Sequence, residues 1–578
     1  MSATDTKCGD GNWRAGIVYG GPLAVEREGR SALTSEEQSR LILGFLVLGV
    51  AARVVRFGLN FPLWEDECFL CYNFIHRGYL DLLRPLDFHQ VAPLLFLWTE
   101  LTSVRLFGYA EWSLRLIPFL FSLGGLFLFR HLAGRLLSGF ALVLAVGIFA
   151  VAYPGIRYAA EAKQYSADAF VALVLLIFAV EFWRNPRQGR WLWFLAAFVP
   201  LAVGMSYPAV FVAGGLSAAV FAVLWRERDV VRREHWLAWG AFNLLLLAGF
   251  ATLFFLTTAN QSGAELSFMS AYWQRAFLPL AEPWKIPQWL LRVHSGALYA
   301  YPVGGAHGGS ALTFLCCLTA LVVLISRRQT TLMLIVLCPV ALTLVASALQ
   351  RYPYGGHVKF SQHLAGPICL LMGFGGAWLW NLHAHHRRRC RRVAFVSVLA
   401  LLLVGSGSIG RDVAHPYKTT SDMRARAFAR WFWFDSEQDC ETVSVTGDLK
   451  QDFAPETKRH LTWSAMYFVN QAIYSPRHRR RQPFRFDKVT SERPLRCVIY
   501  RDPKLPFRQR LFEQWLSRMQ RRYDLVGHES FSFPRYGKHD RRLYAVHYLD
   551  TFTFAPRSAG KHLTRVAGRN VEMDTPLK

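Results

Sequence analysis

Residues 91–107 read VAPLLFLWTELTSVRLF, a stretch of spanning length that carries Glu100 and Arg105 in its interior. Whether it crosses a membrane or lies along one decides the sidedness of everything after it. The chain around it is built from apolar blocks long enough to cross a bilayer. They are Leu41–Arg56, Trp112–Phe129, Leu136–Ile156, Ala167–Trp183, Trp191–Ser206, Ala209–Trp225, Leu237–Thr257, Ala311–Ser326, Thr331–Leu349, Gln362–Asn381 and Val393–Ile409. The loops Arg130/Arg135, Arg184/Arg187/Arg190, Arg226/Arg228/Arg232/Arg233, Arg327/Arg328 and Arg387–Arg392 are basic. With those spans, all of the basic loops share one side with the N-terminus. Counting 91–107 as a further span destroys that agreement. The stretch therefore reads as an amphipathic helix lying on the surface, in the first outer loop. The expectation is about eleven spans, with the N-terminus in the cytoplasm and the C-terminus outside.

Composition agrees. Of 578 residues, 52% are hydrophobic, 15% aromatic and only 18% charged, with a mean hydropathy of +0.18. Disorder, a coiled coil and a small disulfide scaffold are excluded. The net charge of +26 reads as basic loops against anionic lipid rather than as a nucleic-acid site. Thiols inside apolar blocks (Cys316, Cys317, Cys338, Cys369) read as small core residues.

The expected fold is mainly α: a polytopic membrane protein with a small C-terminal α/β domain. Residues 1–40 form a polar cytoplasmic segment that is no signal peptide. Ser35 with Gln38 reads as a capping box opening the first span. Residues 41–409 form the transmembrane domain, with long outer loops at 57–111 and 258–310. In 410–578 the chain turns charged. Glu441–Val445, Arg496–Tyr500, Tyr523–Ser532 and Arg542–Tyr548 read as strands, and Arg508–Arg522 as a helix. Cys440 and Cys497 are either a disulfide or two buried thiols. The basic run Arg477–Arg481 reads as a solvated or lipid-facing loop.

Chemistry is expected first at Trp64-Glu65-Asp66-Glu67, just outside the first span. Consecutive carboxylates at a bilayer interface repel one another and lose hydration. Either the loop is fully solvated, or a metal, a basic partner or a proton-transfer role offsets the cost. The same loop supplies Asp87, His89 and Gln90. Asp66 with Asp87 or His89 can form ligands for a divalent ion, although their spacing is not diagnostic. Cys68 and Cys71 read as packing residues. A second cluster, Arg157, Glu161, Lys163, Tyr165 and Asp168, closes the third span at the same face. It is either a set of mutual salt bridges or part of one cavity with Asp66. A third, Arg351, Tyr352, Tyr354, His357 and Lys359, extended by His363, brings basic groups around a glycine turn. That pattern suits a phosphate at the membrane surface, whether a headgroup or a substrate.

These motifs, taken in order, resemble a known family. An acidic pair follows the first span. His89 to Leu94 reads His-x-x-x-Pro-Leu, and Leu106 to Leu116 holds Leu-Phe-Gly and Trp-Ser-Leu-Arg-Leu. Arg157 to Tyr165 reads Arg-Tyr-x-x-Glu-x-Lys-x-Tyr, and a Tyr-Pro-Tyr-Gly-Gly comes late. From Leu41 to Ile409 the chain is similar to the GT-C glycosyltransferases, in particular the bacterial group that includes relatives of the dolichyl-phosphate-mannose protein mannosyltransferases and of the lipid A aminoarabinose transferase. The resemblance implies a GT-C-like fold with surface helices in the first outer loop. It also implies a bacterial inner-membrane enzyme moving a sugar from a polyprenyl-phosphate donor to an envelope glycan, lipid or protein. Asp66 would be base or metal ligand, with Glu67 beside it and Glu161 as the second acid. Arg351, His357 and Lys359 would hold the carrier phosphate. Tyr354, His363, Gln90, Arg157, Lys163 and Tyr165, with Asp87 and His89, complete the expected substrate contacts; Asp66 and His89 are the expected metal ligands. Two departures stand out. Glu65 makes the acidic pair a triplet, and His357 stands where an arginine is expected. The resemblance does not reach the C-terminal domain. A polysaccharide polymerase or ligase, a transporter or flippase, and a membrane scaffold are the alternative readings.

Overall fold

The first span opens at Thr34, one residue before the expected cap. The Thr34 hydroxyl accepts from the Glu37 N–H at 3.1 Å, and the Glu37 carboxylate accepts from the Thr34 N–H at 2.8 Å. Thr34 has extended dihedrals and so sits outside the helix, whereas Ser35 is already helical and cannot cap it. The computed structural model describes residues 33–258, 272–305, 308–383, 387–432, 441–444, 461–474, 494–501, 506–536, 543–557 and 569–570. The N-terminal segment up to residue 32, Cys440 and the basic run 477–481 lie outside the described residues.

The helices up to the long second outer loop are α1 (Ser35–Gly58), α2 (Glu65–Cys71), α3 (Asn73–His76), α4 (Leu94–Phe107), α5 (Leu116–Leu136), α6 (Gly139–Val151), α7 (Tyr153–Tyr158), α8 (Tyr165–Arg184), α9 (Arg190–Met205), α10 (Ala209–Arg226) and α11 (Arg233–Leu253). Ala311–Ser326, Thr330–Ala348, Ala365–His383 and Arg387–Ala414 follow. Among the described residues, eight helices are long and apolar enough to cross a membrane, and α6, α9 and Ala311–Ser326 are shorter apolar ones. Together they coincide with the expected spans. The protein is a polytopic membrane protein.

One span is shorter than its apolar block. The block 136–156 contains α6, which stops at Val151. Ala152 leaves the helical region (ψ 114°), and the Tyr153 N–H bonds to the Pro302 carbonyl at 2.8 Å instead of continuing the ladder. Pro154 then sits at the start of α7, where its missing N–H costs nothing. Every α6 residue from Phe140 to Val151 is buried, as expected of a helix apolar on all sides at the centre of a bundle.

Helix α4 occupies the stretch on which the topology turned. It starts after Pro93 and buries Phe96, Leu97, Leu101 and Val104. These do not join the core of the spanning bundle. They pack in a second core with Leu63, Cys68, Leu70, Cys71 and Phe74 of the first loop, and with Phe428, Met466, Val469 and Phe531 from beyond the last span. Cys68 and Cys71 are thus packing residues. A core shared by the first loop and the C-terminal part puts both on one face of the bundle, which agrees with an even number of crossings between them.

The C-terminal part carries helices Thr420–Arg430, Leu461–Tyr474 and Pro506–Arg522 and strands β1 (Glu441–Ser444), β2 (Leu495–Arg501), β3 (Tyr523–Tyr536), β4 (Leu543–Pro556) and β5 (Arg569–Asn570). Sheet order is β1-β2-β4-β3-β5. The β2-β4 and β4-β3 pairs are antiparallel; the outer β1-β2 and β3-β5 pairs are parallel. Cys497 is buried in β2 and pairs with Phe552 in the ladder. Leu461–Tyr474 packs on α2, so the C-terminal part rests directly on the helix carrying the acidic triplet.

Candidate active site

The triplet does not act as a block, because α2 begins at Glu65 and successive helical side chains point about 100° apart. Glu67 turns inward. Its Oε1 accepts from Arg115 Nε at 2.8 Å and from the Ala162 N–H at 2.8 Å. Its Oε2 accepts from Arg115 Nη2 at 2.6 Å and from the Trp64 N–H at 3.2 Å. Arg115 also donates to the carbonyls of Phe61 and Pro62. The pair is fully buried, and both carboxylate oxygens are already engaged twice.

Asp66 turns outward to a recess. Its Oδ1 lies 3.2 Å from Lys163 Nζ and its Oδ2 3.5 Å from Lys359 Nζ. Burial alone would raise its pKa. The two ammonium groups outweigh that and hold the carboxylate well below the usual range. Lys163 Nζ also donates to Gln90 Oε1 at 2.6 Å. The Lys359 ammonium lies 4.8 Å from the Trp273 ring centroid and 5.8 Å from that of Tyr165.

Glu161 belongs to the turn between α7 and α8. Its Oε1 accepts from Arg157 Nε at 2.7 Å, while Oε2 is buried with no protein hydrogen bond. Burial pushes this acid up, but Arg157 and Lys418 hold it below the ordinary value. His357 lies beside it. Its Nδ1 accepts the Lys359 N–H at 3.2 Å and lies 3.4 Å from the Tyr158 hydroxyl. Burial, Arg157 and Lys359 lower its pKa to about 3, so the ring is neutral at physiological pH.

The structure brings Asp66, Glu161, Arg157, Lys163, Gln90, Tyr165, His357 and Lys359 into one neighbourhood. The other expected residues have surroundings of their own. Asp87 is half exposed and pairs with Arg77 at 2.8 Å. His89 ends a short 3-10 turn with φ +53°. Arg351 is exposed. Tyr354, in the late loop, is buried against the second outer loop, its hydroxyl 3.0 Å from His294 Nε2. His363 is enclosed in the bundle, its Nε2 3.0 Å from the Thr343 hydroxyl.

Sequence reasoning missed two participants. Arg115 stood inside the quoted Trp-Ser-Leu-Arg-Leu stretch without a role. Lys418, beyond the last span, had no signal at all. Its ammonium lies over the Trp64 ring. Desolvation lowers its pKa to about 7, opposed by Glu161 and reinforced by Arg157.

The side chains around the two carboxylates are mostly cations rather than further metal ligands. Among the described residues, no group of three or more His, Cys, Asp or Glu is placed to hold a metal ion. Asp66 and Glu161 face lysine and arginine instead. What the arrangement can do is receive an anion: two carboxylates face Arg157, Lys163, Lys359 and Lys418, leaving an excess of positive charge in a part-desolvated recess.

No protein-family model matches the sequence, and no curated protein is significantly similar to it. Among solved structures the chain is similar to ArnT from Cupriavidus metallidurans in the apo state, with 13% identity and a TM-score of 0.45 over 88% of this chain and 98% of that one. The same protein bound to undecaprenyl phosphate gives 13% identity and a TM-score of 0.43, with the same coverage of 88% and 98%. An archaeal oligosaccharyltransferase from Archaeoglobus fulgidus is similar with 13% identity and a TM-score of 0.40, over 78% of this chain and 62% of that one. At this level of likeness the function has to be read from the site itself.

Proposed function

We propose that this protein is a membrane glycosyltransferase of the GT-C kind, moving a sugar from a polyprenyl-phosphate donor to an envelope glycan, lipid or protein. The observation that carries the reading is Asp66, bracketed by Lys163 and Lys359 at the ends of spanning helices beside an aromatic surface. A lipid-linked sugar phosphate needs cations at membrane depth for its phosphate and a carboxylate for the acceptor hydroxyl. The positive-inside argument puts this face outside, with the N-terminus in the cytoplasm of a bacterial inner membrane.

The reaction is a direct displacement with inversion. The acceptor oxygen bonds to the anomeric carbon, the bond from that carbon to the phosphate oxygen breaks, and the phosphate leaves with the electron pair. The acceptor proton passes to Asp66. As it stands, Asp66 is a poor base, because two ammonium groups stabilise its charge. Its contacts of 3.2 and 3.5 Å are longer than the 2.7–2.9 Å of strong charge-assisted hydrogen bonds. An incoming phosphate therefore competes for the same lysines, and drawing them off raises the basicity of Asp66 only when donor is bound. No step is routed through a metal.

The test is transfer from radiolabelled polyprenyl-phosphate sugars in membranes, comparing wild type with Asp66→Asn. Positioned proton transfer contributes about 10²–10⁴-fold, so the variant should lose turnover by that order while expressing normally. Wild-type turnover in Asp66→Asn would sink the assignment.

A further inference from the structure

Lys418 reaches the recess from a part of the chain that carries none of the expected site motifs. It lies between Arg387–Ala414, the last spanning helix, and Thr420–Arg430, the first helix of the C-terminal part. The segment is held on both sides. Before it, Asp412 and Arg56 of α1 form a buried ion pair at 2.6 Å. After it, the Thr419 hydroxyl and Asp422 carboxylate form a capping box. One turn on, Arg426 donates to the Asn60 carbonyl and pairs with Glu111 at 3.4 Å. Two anchors to the first loop and α1 hold the short linker between them close to Trp64 and the start of α2. The Lys418 side chain still meets solvent, yet its ammonium lies over the Trp64 indole, immediately before the acidic triplet. It is within electrostatic reach of Glu161, Arg157, Glu67 and Asp66. A lysine that needed only a partner would find one at the open surface. This one, though partly exposed, sets its ammonium over Trp64, near groups among which cations already exceed carboxylates.

We propose that Lys418 is a phosphate-binding residue of this site, so that the phosphate of a polyprenyl-phosphate substrate is gripped by ammonium groups from both the transmembrane domain and the C-terminal part. The inference rests on reading the recess as a lipid-phosphate site. It gives the C-terminal part a role in binding donor, beyond covering the first loop.

The experiment uses the full chain in nanodiscs and measures binding of undecaprenyl phosphate, of the matching uncharged polyprenol and of inorganic phosphate. Variants are Lys418→Gln, Lys418→Arg and Lys163→Gln, each checked by thermal unfolding. Losing one charge-assisted hydrogen bond corresponds to about a tenfold loss of affinity. Lys418→Gln should bind the lipid phosphate about tenfold more weakly, with unchanged polyprenol binding and an unchanged melting temperature. Lys418→Arg should restore most of the affinity, which a merely structural role would not predict. Displacement of the lipid by inorganic phosphate in a Lys418-dependent way supports recognition of the phosphate group. If inorganic phosphate binds through Lys418 but the lipid phosphate does not, the lipid assignment is overturned. If Lys163→Gln loses the phosphate preference and Lys418→Gln keeps it, the role of Lys418 is overturned while the site reading stands. If wild type does not distinguish lipid phosphate from polyprenol, the site reading itself fails, and this inference with it.

Discussion

Replacing Glu67 by Gln should unfold this protein more readily rather than disable its chemistry. Glu67 receives four hydrogen bonds, two from Arg115 and one each from the N–H groups of Ala162 and Trp64. The Arg115 and Glu67 side chains are 2% and 1% exposed. Glutamine keeps one carbonyl oxygen but turns an amide toward donors, and it leaves the guanidinium buried without a counter-charge. Two backbone carbonyls remain as partners for Arg115, so the loss is partial. Breaking a buried pair by removing one member costs about 3–5 kcal/mol. That is a large share of the roughly 5–15 kcal/mol that holds a folded domain together. The assay is thermal unfolding in detergent, with limited proteolysis of the first loop as a second readout. The double variant Glu67→Gln/Arg115→Met should recover part of the loss, since removing both charges is far less costly than removing one. A Glu67→Gln protein with a wild-type melting profile and no transfer activity would refute the reasoning and make Glu67 a chemical participant.

Other predictions follow from the same geometry. Asp66→Asn should keep or strengthen binding of a polyprenyl phosphate, because Lys163 and Lys359 lose their competitor, even as turnover disappears; equilibrium binding on the variant checks this. Lys418 binds an anion only when protonated, and its pKa is lowered to about 7. Affinity for a polyprenyl-phosphate sugar should therefore fall as pH rises through about 7, and the slope should vanish in Lys418→Gln. The sugar-linked diester is the right probe, since a phosphate monoester itself gains charge near pH 6. Asp412→Asn leaves Arg56 buried and uncompensated between α1 and the last span. It should lower the melting temperature by an amount corresponding to about 3–5 kcal/mol, and Asp412→Leu with Arg56→Met should recover much of it.

Most of the architecture was legible because membrane helices announce themselves locally. An apolar block of spanning length has few alternatives, and arginine-rich loops sort the blocks by side. The placement of residues 91–107 outside the bundle came from that sorting alone. What failed were features set by distant partners. Pro154 is a local signal for a break inside the block, but the exit at Val151 is set from far along the chain, where the Pro302 carbonyl captures the Tyr153 N–H. The cap of α1 lay one residue from its expected position because Thr34-x-x-Glu37 and Ser35-x-x-Gln38 are overlapping signals that only backbone dihedrals separate. At the outer ends of the spans, Asp66 meets Lys163 and Lys359, while Glu161 takes Arg157 from its own cluster as its partner. Tyr354 and His363 share the late loop with Lys359 but bond to His294 and Thr343. A loop's composition does not say which of its side chains turn inward. Lys418 was invisible for the opposite reason, since a lone lysine at a change of composition has no pattern, and only the docking of the C-terminal part gives it a place.

The acidic triplet raised a question of cost: three carboxylates in a row, partly out of water, need something to offset their repulsion. The answer differs from one residue to the next, because a helix aims them differently. Glu67 is neutralised by a dedicated arginine and made rigid. Asp66 is neutralised by lysines that stand farther off and have other contacts, Gln90 for one and an aromatic surface for the other. A rigid ion pair next to a loose one is what the proposed role of Asp66 as a base requires. Glu67 and Arg115 fix the direction of α2, and with it the position of Asp66, while the charges around Asp66 remain free to rearrange toward a substrate. Exchanging the two roles by sequence alone, as in Asp66→Glu with Glu67→Asp, should therefore fail on both counts. The shortened side chain at 67 would lose its reach to Arg115, and the lengthened one at 66 would press on Lys163 and Lys359. A double variant that melted like wild type and kept its activity would show that the division of labour between the two carboxylates is not the one drawn from their contacts.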